Sequence, residues 1–398
     1  MLKNRLNIYF FVMAVTITIT VLSQVASVFR PIMYVLWVVV AIICAFGCRL
    51  ALSHFTLSFI FLYIVYIVYC VLLTFLTETN YLKGSYFSLL AIPLLVLIIA
   101  DLLRQKLDSK HFIALCYIYF ISSVVFAVWV NVKYFPTLDI FYNSLTYVFD
   151  EKNSASQIWT SASIVAFFIL KPKFKVIRAL KYVLISYLIF MVFLSQCRAA
   201  IFAITVVFIF YLIFYSRHKI ATICIALVVI SLFLAFDRTR GFLIQSVNLN
   251  KYDLTDIDQF SSGRLRLWND AIDIFIQSPL FGCGKYYVDN SYIMILTESG
   301  IIGFLIIETI WFYRIILNIK YSSRYKYGLI LPILTIFYFI ESLFEGNPPF
   351  GPGVSSFIFW FFCGYMEALS ISSKKQHSIE KNRFFGLVQQ YQNSRTHD

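Results

Sequence analysis

Long apolar runs alternate with short polar stretches along most of the chain. About 20 consecutive apolar residues can cross the hydrocarbon core of a bilayer as a helix. The pattern therefore predicts an all-α, polytopic membrane protein with about twelve spans, which lie at 7–26, 31–47, 55–77, 84–103, 112–131, 156–170, 182–196, 199–216, 220–236, 299–317, 328–344 and 352–370.

Two connecting segments are much longer than a helix-to-helix turn requires, at about 132–155 and about 237–289. An ordered segment of that length inside a compact domain usually carries a function. We expect one transmembrane domain over residues 1–371, followed by a polar tail over residues 372–398. No repeat at a fixed period is visible, whereas many transporters are built from two related halves.

The basic residues alternate between the two sides of the predicted spans, and 22 of the 33 fall on the side of the N-terminus. The positive-inside rule then puts both termini in the cytoplasm and both long segments outside. Hydrophobic residues make up 60% of the chain and charged residues 13%, which excludes an ordinary soluble enzyme. The net charge of +13 lies between apolar runs rather than on one surface, which argues against nucleic acid as a partner.

Cysteine and histidine contribute little to the predicted outer face. No C-x-x-C pair is present, and only Cys197 and Cys283 are expected outside, either as a disulfide or as two unpaired thiols. All five histidines fall on the cytoplasmic side of the predicted topology. An outer-face site would therefore use neither a histidine base nor a histidine-ligated metal, and we expect no metal and no cofactor.

The segment at 261–303 carries the most chemistry. Apolar residues recur at helical spacing over 264–277, which predicts an amphipathic helix lying on the membrane with Trp268 at headgroup level. Ser261 or Ser262 can cap its start, and Pro279 ends it. Gly282 and Gly284 predict a tight turn, after which Asp289, Asn290 or Ser291 caps the next helix, which continues through Gly300 and Gly303.

The arginines near this segment allow more than one interpretation. Arg266 lies four residues before Asp270, so it is either a solvated ion pair or a substrate contact. Arg264 is either an interfacial side chain or a phosphate ligand. Arg198, at the end of a span, requires an anionic partner, either a carboxylate such as Asp289, Glu298 or Glu341, or a substrate.

Two further polar elements lie at predicted span ends. Asn153 belongs to a polar stretch that is either a helix cap or part of a site. Residues 341–353 are rich in Pro and Gly and are expected to form only a turn. Because guanidinium groups form bidentate bonds to phosphate, the outer arginines predict a membrane-level site for an anionic, lipid-linked substrate.

The pattern R-x-x-x-W, then P-L-x-G-x-G, then D/H-N-x-Y and E-x-G-x-x-G resembles the C-terminal signature of O-antigen polymerases (Wzy type) and O-antigen ligases. It is formed here by Arg264, Trp268, Pro279, Leu280, Gly282, Gly284, Asp289, Asn290, Tyr292, Glu298, Gly300 and Gly303. The upstream Ser195 with Arg198, and Asn153, match further family positions. The signature covers about 45 residues, and elsewhere only the length, the span count and the position of the large loop are similar.

The resemblance implies a GT-C_B-like fold and a metal-independent, inverting glycosyltransferase at the periplasmic face of the bacterial inner membrane. It would transfer a growing glycan from undecaprenyl diphosphate to a hydroxyl of another lipid-linked repeat unit. Ligases of the family carry His where this chain has Asp289, which favours a polymerase. The expected catalytic residues are Asp289, Arg198 and Arg264, and the expected substrate contacts are Arg198, Arg264, Arg266, Asn153, Asn290, Tyr292, Glu298 and Trp268.

Two other functions remain open, an O-antigen ligase that acts on lipid A-core and a flippase for lipid-linked oligosaccharide. A flippase should place charges inside its spans, where Glu308 and Glu367 are nearly the only candidates. Expected partners are the lipid-linked donor and acceptor and membrane lipid, with a chain-length regulator protein as a further candidate. A partner-binding membrane protein without catalysis would not require the outer arginines.

Overall fold

The computed structural model describes residues 7–23, 28–134, 152–216, 219–247, 258, 261, 263–322, 328–346, 349–350 and 356–366. Within these residues the regular structure is entirely helical. The predicted tail and most of the predicted 132–155 segment lie outside the described residues.

Fifteen α-helices are described in this part of the chain. The first eight are α1 (Ile8–Leu22), α2 (Phe29–Gly47), α3 (His54–Leu76), α4 (Ser85–Leu89), α5 (Ala91–Leu103), α6 (Ser109–Tyr134), α7 (Lys152–Phe168) and α8 (Lys175–Leu194). The others are α9 (Arg198–Phe214), α10 (Lys219–Ala235), α11 (Asp237–Ser246), α12 (Arg264–Gln277), α13 (Ser291–Ser322), α14 (Ile330–Ser342) and α15 (Ser356–Met366).

Every predicted span coincides with a helix, or with α4 and α5 together, so the hydropathy pattern locates the helices correctly. Among the described residues, six segments are long and apolar enough to cross a membrane, namely Phe29–Gly47, His54–Leu76, Ser85–Leu103, Ser109–Lys133, Lys175–Leu194 and Ser291–Ser322. Four shorter apolar helices accompany them, at Ile8–Leu22, Arg198–Phe214, Ile330–Ser342 and Ser356–Met366. The chain is thus a polytopic, all-helical membrane protein.

Parts of the two long connecting segments, predicted at 132–155 and 237–289, are helical. Helix α6 continues to Tyr134, where Lys133 lies over the ring of Trp129 at 4.7 Å. Helix α11 was not predicted within 237–289. Asp237 favours its start because a carboxylate is stabilised at a helix N-terminus, and Phe242 buries its side chain against Phe190.

The helices meet around a core rich in aromatic side chains. Trp311 and Trp360 are fully buried and pack edge-on at 6.3 Å between ring centroids. Helix α14 packs along α9, and α7 packs between α6 and α8. Helix α7 begins at Lys152 and α9 begins at Arg198, and both starts lie beside the end of α14 at Ser342. We call this end of the bundle, where the polar helix termini meet, the loop end.

Charges inside the helices are more numerous than predicted. Helix α13 runs to Ser322, so Arg314 lies within it rather than in a loop. Its side chain is 0% exposed, and the guanidinium lies 4.3 Å from the centroid of the Phe55 ring. Asp101 of α5 is also buried and accepts hydrogen bonds from Ser53 and Thr56. The prediction that Glu308 and Glu367 are nearly the only such charges was wrong, and Glu367 lies outside the described residues.

Candidate functional site

The amphipathic helix α12 begins with Arg264, as predicted, and local bonds fix its start. Gly263 has φ +74°, a conformation that glycine adopts without steric cost. The Ser261 Oγ accepts the N–H of Leu265 at 3.2 Å, which satisfies one of the free donors of the first turn. The N-cap residue is Gly263, so the prediction of a serine at that position was wrong for Ser261, although Ser261 still binds one donor of the first turn; Ser262 lies outside the described residues.

One face of α12, which includes Trp268, packs on α13, and the position of Trp268 at headgroup level stays a prediction. The indole Nε1 of Trp268 donates to the carbonyl oxygen of Asp289 at 3.2 Å. One turn further on, Ala271 is fully buried, and its carbonyl accepts from Thr297 Oγ1. These contacts bring the start of α12 to the segment that precedes α13. Leu267 and Ile276 remain exposed on the other side of the helix.

The glycines of the signature make close packing possible between the turn after α12 and a break in α13. Gly300 has φ +64°, and a Cβ there would lie 2.3 Å from the Leu280 carbonyl oxygen. The break frees backbone groups of α13, and the turn binds them, since Cys283 N–H donates to Thr297 O at 2.8 Å. Gly282 has φ +76° and contacts the same break. The predicted tight turn is confirmed.

Arg264 lies between two carboxylates at the loop end. Its Nη2 is 3.2 Å from Glu345 Oε1 and 3.8 Å from Asp289 Oδ2. The Arg264 side chain is 22% exposed, and those of Asp289 and Glu345 are 34% and 15% exposed. The Asp289 carboxylate also accepts from the Tyr287 hydroxyl at 3.0 Å. Arg264 is therefore a partly buried, paired cation, and neither a lipid-facing side chain nor an isolated one.

Asn153 connects this group to α7 and α9. Its Nδ2 donates to Glu345 Oε1 at 2.7 Å, and its Oδ1 accepts from Cys197 Sγ at 3.3 Å. Cys197 immediately precedes α9, which begins with Arg198. Arg198 is half-buried and thus starts its helix beside the same group. The structure therefore brings the starts of α7, α9 and α12 to one point, as the family resemblance implied for Asn153, Arg198 and Arg264.

Glu345 is the residue of this group that the sequence did not reveal. It belongs to the stretch at 341–353, which was expected to form only a turn. Burial raises the pKa of the Glu345 carboxyl to about 7; Arg264 lowers it and Asp289 raises it again. The spacing of Glu341 and Glu345 after an apolar helix was a usable signal, because residues four apart lie on one helical face.

Glu341 and Gln157 form a second, deeper polar pair below Glu345. Glu341 is fully buried, and its Oε2 accepts from Gln157 Nε2 at 3.1 Å. Nearby, the Oγ atoms of Ser156 and Ser195 are 2.7 Å apart. The polar stretch at the start of α7 is thus more than a helix cap, since its side chains reach α9 and α14.

Glu298 lies in α13 away from Arg264, and its carboxylate binds backbone donors. It is 1% exposed and accepts from Ser85 N–H at 3.0 and 3.1 Å and from Tyr286 N–H at 3.4 Å. A buried carboxylate with these donors ties α13 to the start of α4 and to the segment before α13. Glu298 therefore holds these two backbone segments in position against α13.

The other signature residues are placed as follows. Asn290 caps α13, since its Oδ1 accepts from Ile293 N–H at 3.0 Å and its Nδ2 donates to Leu343 O at 3.0 Å. The Tyr292 ring packs on Phe339, with 5.8 Å between centroids. The Arg266 side chain is exposed on α12, while its backbone N–H donates to Asp258.

All eight cysteines fall within the described residues and none forms a disulfide, so Cys197 and Cys283 are not bonded to each other. In the described part of the chain, no three His, Cys, Asp or Glu side chains are grouped so that they could hold a metal ion. What the site offers is an arginine flanked by carboxylates and amides, an arrangement suited to binding an anion and to accepting a proton.

Comparison with known proteins agrees with the sequence resemblance. A search of curated proteins returned no match. A family model described as O-antigen ligase, Wzy_C, matches residues 183–308, from α8 through α12 into α13. The matched region contains Arg198, Arg264 and Asp289. This part of the chain is therefore similar to O-antigen ligases, which is consistent with a polymerase or ligase of the Wzy/WaaL type.

Proposed function

We propose that this protein polymerises lipid-linked O-antigen or a similar surface glycan. It would transfer the growing glycan from undecaprenyl diphosphate to a sugar hydroxyl of another lipid-linked repeat unit. The reaction would be inverting and independent of metal, at the periplasmic face of the bacterial inner membrane, with both protein termini in the cytoplasm. The observation that supports it best is the approach of Arg264 to Asp289, which puts a cation and a carboxylate side by side at the loop end.

Arg264 and Arg198 would bind the donor diphosphate. As the bond between the anomeric carbon and the diphosphate breaks, negative charge develops on the leaving group. Guanidinium groups that are already oriented lower the energy of that charge without reorganisation. Asp289 lies beside the Arg264 guanidinium, and Arg198 is the first residue of α9, next to the same group.

Asp289 would bind the acceptor hydroxyl and take its proton as the hydroxyl oxygen attacks. Its carboxylate is one-third exposed, so a substrate can reach it. The Tyr287 hydroxyl and the Trp268 contact to its carbonyl hold it in place. Asn153, Asn290, Tyr292 and Glu298 would act by positioning these groups, and the exposed Arg266 would make a peripheral contact with the glycan.

The second candidate is an O-antigen ligase, because the matching family model is described in those words. The residue before Asn290 favours a polymerase, since it is Asp289 where the resemblance gives ligases a histidine. Helix α3, which contains His54 at its first position, is about 34 Å long at 1.5 Å per residue. The last residue of α3 is Leu76, and Tyr81, which follows it, donates its hydroxyl to Gly282 O in the turn after α12. The loop end therefore lies near the C-terminal end of α3, and His54 is at the N-terminal end. His54 therefore cannot replace the missing histidine.

A flippase is the third candidate. A flippase is expected to place charged side chains inside its spans, and Arg314 and Asp101 are buried within helices. Deletion of the gene in its host, followed by electrophoresis of the lipid-linked surface glycan, separates the three functions. Loss of the ladder with one repeat unit still attached to the lipid core indicates a polymerase. Loss of every repeat unit from the core, with polymer left on the undecaprenyl carrier, indicates a ligase. Single units trapped on the cytoplasmic face indicate a flippase.

A further inference from the structure

Arg264 lies among three carboxyl groups. Glu345 and Asp289 both approach its Nη2, and Glu341 lies close enough to interact electrostatically with Arg264 and with Glu345. Lys152 is the other cation that acts on Glu345. A diphosphate that binds Arg264 must therefore enter a group of carboxylates, although like charges at short distance repel strongly when partly buried.

Glu345 uses the donors that a phosphate oxygen would use. A single atom, Oε1, accepts from Arg264 Nη2 at 3.2 Å and from Asn153 Nδ2 at 2.7 Å. Carboxylate and phosphate oxygens are interchangeable acceptors for guanidinium and amide N–H groups. Both donors that converge on Glu345 are among the residues that the family resemblance associates with the substrate.

We propose that Glu345 competes with the donor diphosphate for Arg264, and that donor binding breaks the Arg264–Glu345 pair. The inference rests on the proposed function, because it takes Arg264 as a diphosphate ligand. It adds a residue that the signature does not include and gives it a defined role. Glu345 then sets how strongly the site holds the lipid diphosphate and how readily it releases that product after transfer.

A competing Glu345 and a supporting Glu345 predict opposite changes in diphosphate affinity when the Glu345 charge is removed. If Glu345 only positioned Arg264, its neutral isostere would weaken diphosphate binding. If Glu345 competes, Glu345→Gln removes the competing charge and keeps the shape, so binding becomes tighter. We expect about a 5-fold decrease in Kd, which corresponds to about 1 kcal/mol at 1.4 kcal/mol per tenfold.

Competition also couples binding to protons. The groups that face Glu345 are Arg264, Asn153, Lys152, Cys197, Tyr287, Asp289 and Glu341. When the diphosphate takes Arg264, the released carboxylate loses its cation and gains an anionic neighbour, and both changes raise its pKa above the value of about 7. The bound state therefore takes up a proton at Glu345, so the affinity of the unmodified protein, relative to that of Glu345→Gln, should be higher at pH 6 than at pH 8.

The experiment measures the Kd of undecaprenyl diphosphate for the full-length protein in nanodiscs at pH 6, 7 and 8. The variants are Glu345→Gln, Arg264→Ala and, as a matched control, Asp273→Asn, which removes one carboxylate charge from the exposed face of α12. We expect Glu345→Gln to bind about 5-fold more tightly than the unmodified protein at pH 8, with a smaller difference between the two proteins at pH 6. Asp273→Asn should bind as the unmodified protein does.

The outcomes distinguish this inference from the proposed function. Equal or weaker binding by folded Glu345→Gln, while Arg264→Ala weakens binding, would overturn the competition and keep the diphosphate site. No saturable binding to the unmodified protein, or no loss in Arg264→Ala, would overturn both. If Glu345→Gln does not fold, Glu345→Ala takes its place in the same comparison, and equal or weaker binding by that folded variant at pH 8 contradicts the inference.

Discussion

The guanidinium of Arg264 and the carboxylate of Glu345 meet at 3.2 Å, although 81 positions separate them in the chain. The contact joins the start of α12 to the turn after α14, and Asn153 adds the start of α7 through the same oxygen atom. Because each partner is held by a different helix terminus, the geometry of this group depends on the packing of the whole loop end. The predictions below test that dependence and the chemistry assigned to it.

Replacing Arg264 with alanine should abolish polymerisation while the protein level stays normal. Loss of a pre-oriented cation at a developing negative charge typically lowers turnover by about 100-fold to 1000-fold. The measurement is the glycan ladder of a deletion strain that carries the variant. Arg266→Ala is the matched control, since Arg266 lies two residues away with an exposed side chain and should lose much less activity. A full-length ladder with Arg264→Ala would reject the diphosphate assignment.

Replacing Asn153 with aspartate should strongly reduce activity. The change removes the Nδ2 donor and puts a second carboxylate about 3 Å from Glu345 Oε1, where the two anions repel each other in a partly buried group. We expect at least about a 10-fold loss of polymer, on the scale of a 1.4 kcal/mol perturbation. Asn269→Asp, on the exposed face of α12, makes the same change in charge outside the group and should be neutral. Equal effects of the two variants would show that the contact is unimportant.

Glu298→Gln should lower stability rather than act on chemistry. The carboxylate accepts backbone N–H groups of Ser85 and Tyr286, and an amide would point its own N–H groups at some of these donors. Leaving such buried donors unsatisfied costs about 1–3 kcal/mol each. Thermal unfolding of the purified protein in detergent measures this loss. The control is Glu78→Gln, since Glu78 is exposed, and an unchanged midpoint in both variants would contradict the positioning role.

Gly300→Ala should prevent the turn after α12 from packing on α13. Gly300 combines φ +64° with a Cβ position only 2.3 Å from the Leu280 carbonyl oxygen, so alanine meets both backbone strain and a clash. We expect a destabilisation of about 3 kcal/mol or more, in the range of backbone effects at special conformations. Gly241→Ala is the control, because a Cβ there meets nothing within 4 Å, and alanine is the better helix former. Comparable protein levels for the two variants would contradict this account.

The sequence predicted the helices well because hydropathy and length determine which segments can cross a bilayer. It also identified Arg264, Asp289 and Asn153, since polar residues at span ends are conspicuous in so apolar a chain. It missed Glu345, because nothing local to a Pro/Gly-rich turn shows that an arginine 81 positions away will pair with it. It predicted the apolar face of α12 that contains Trp268 but not the contact of Trp268 with the Asp289 carbonyl, because periodicity reveals an apolar face and not the groups that cover it.

The same limit explains Glu298 and Arg314. The signature made Glu298 look like a substrate ligand, but its oxygens are directed at backbone donors of a segment more than 200 residues earlier. Arg314 looked like a loop residue because a cation normally ends a span, whereas here the Phe55 ring lies against it inside the bundle. In both cases the environment of the side chain depends on a partner far away in the chain, and a single sequence does not show which residues become neighbours.

The most direct test of the proposed function uses the purified protein in nanodiscs with the lipid-linked repeat unit extracted from a deletion strain. With a chelator present, mass spectrometry should find lipid-linked glycans of two and more repeat units, together with released undecaprenyl diphosphate in matching amount. Arg264→Ala should give neither product. Recovery of the repeat unit unchanged, with no undecaprenyl diphosphate released by the unmodified protein, would contradict the assignment as a polymerase.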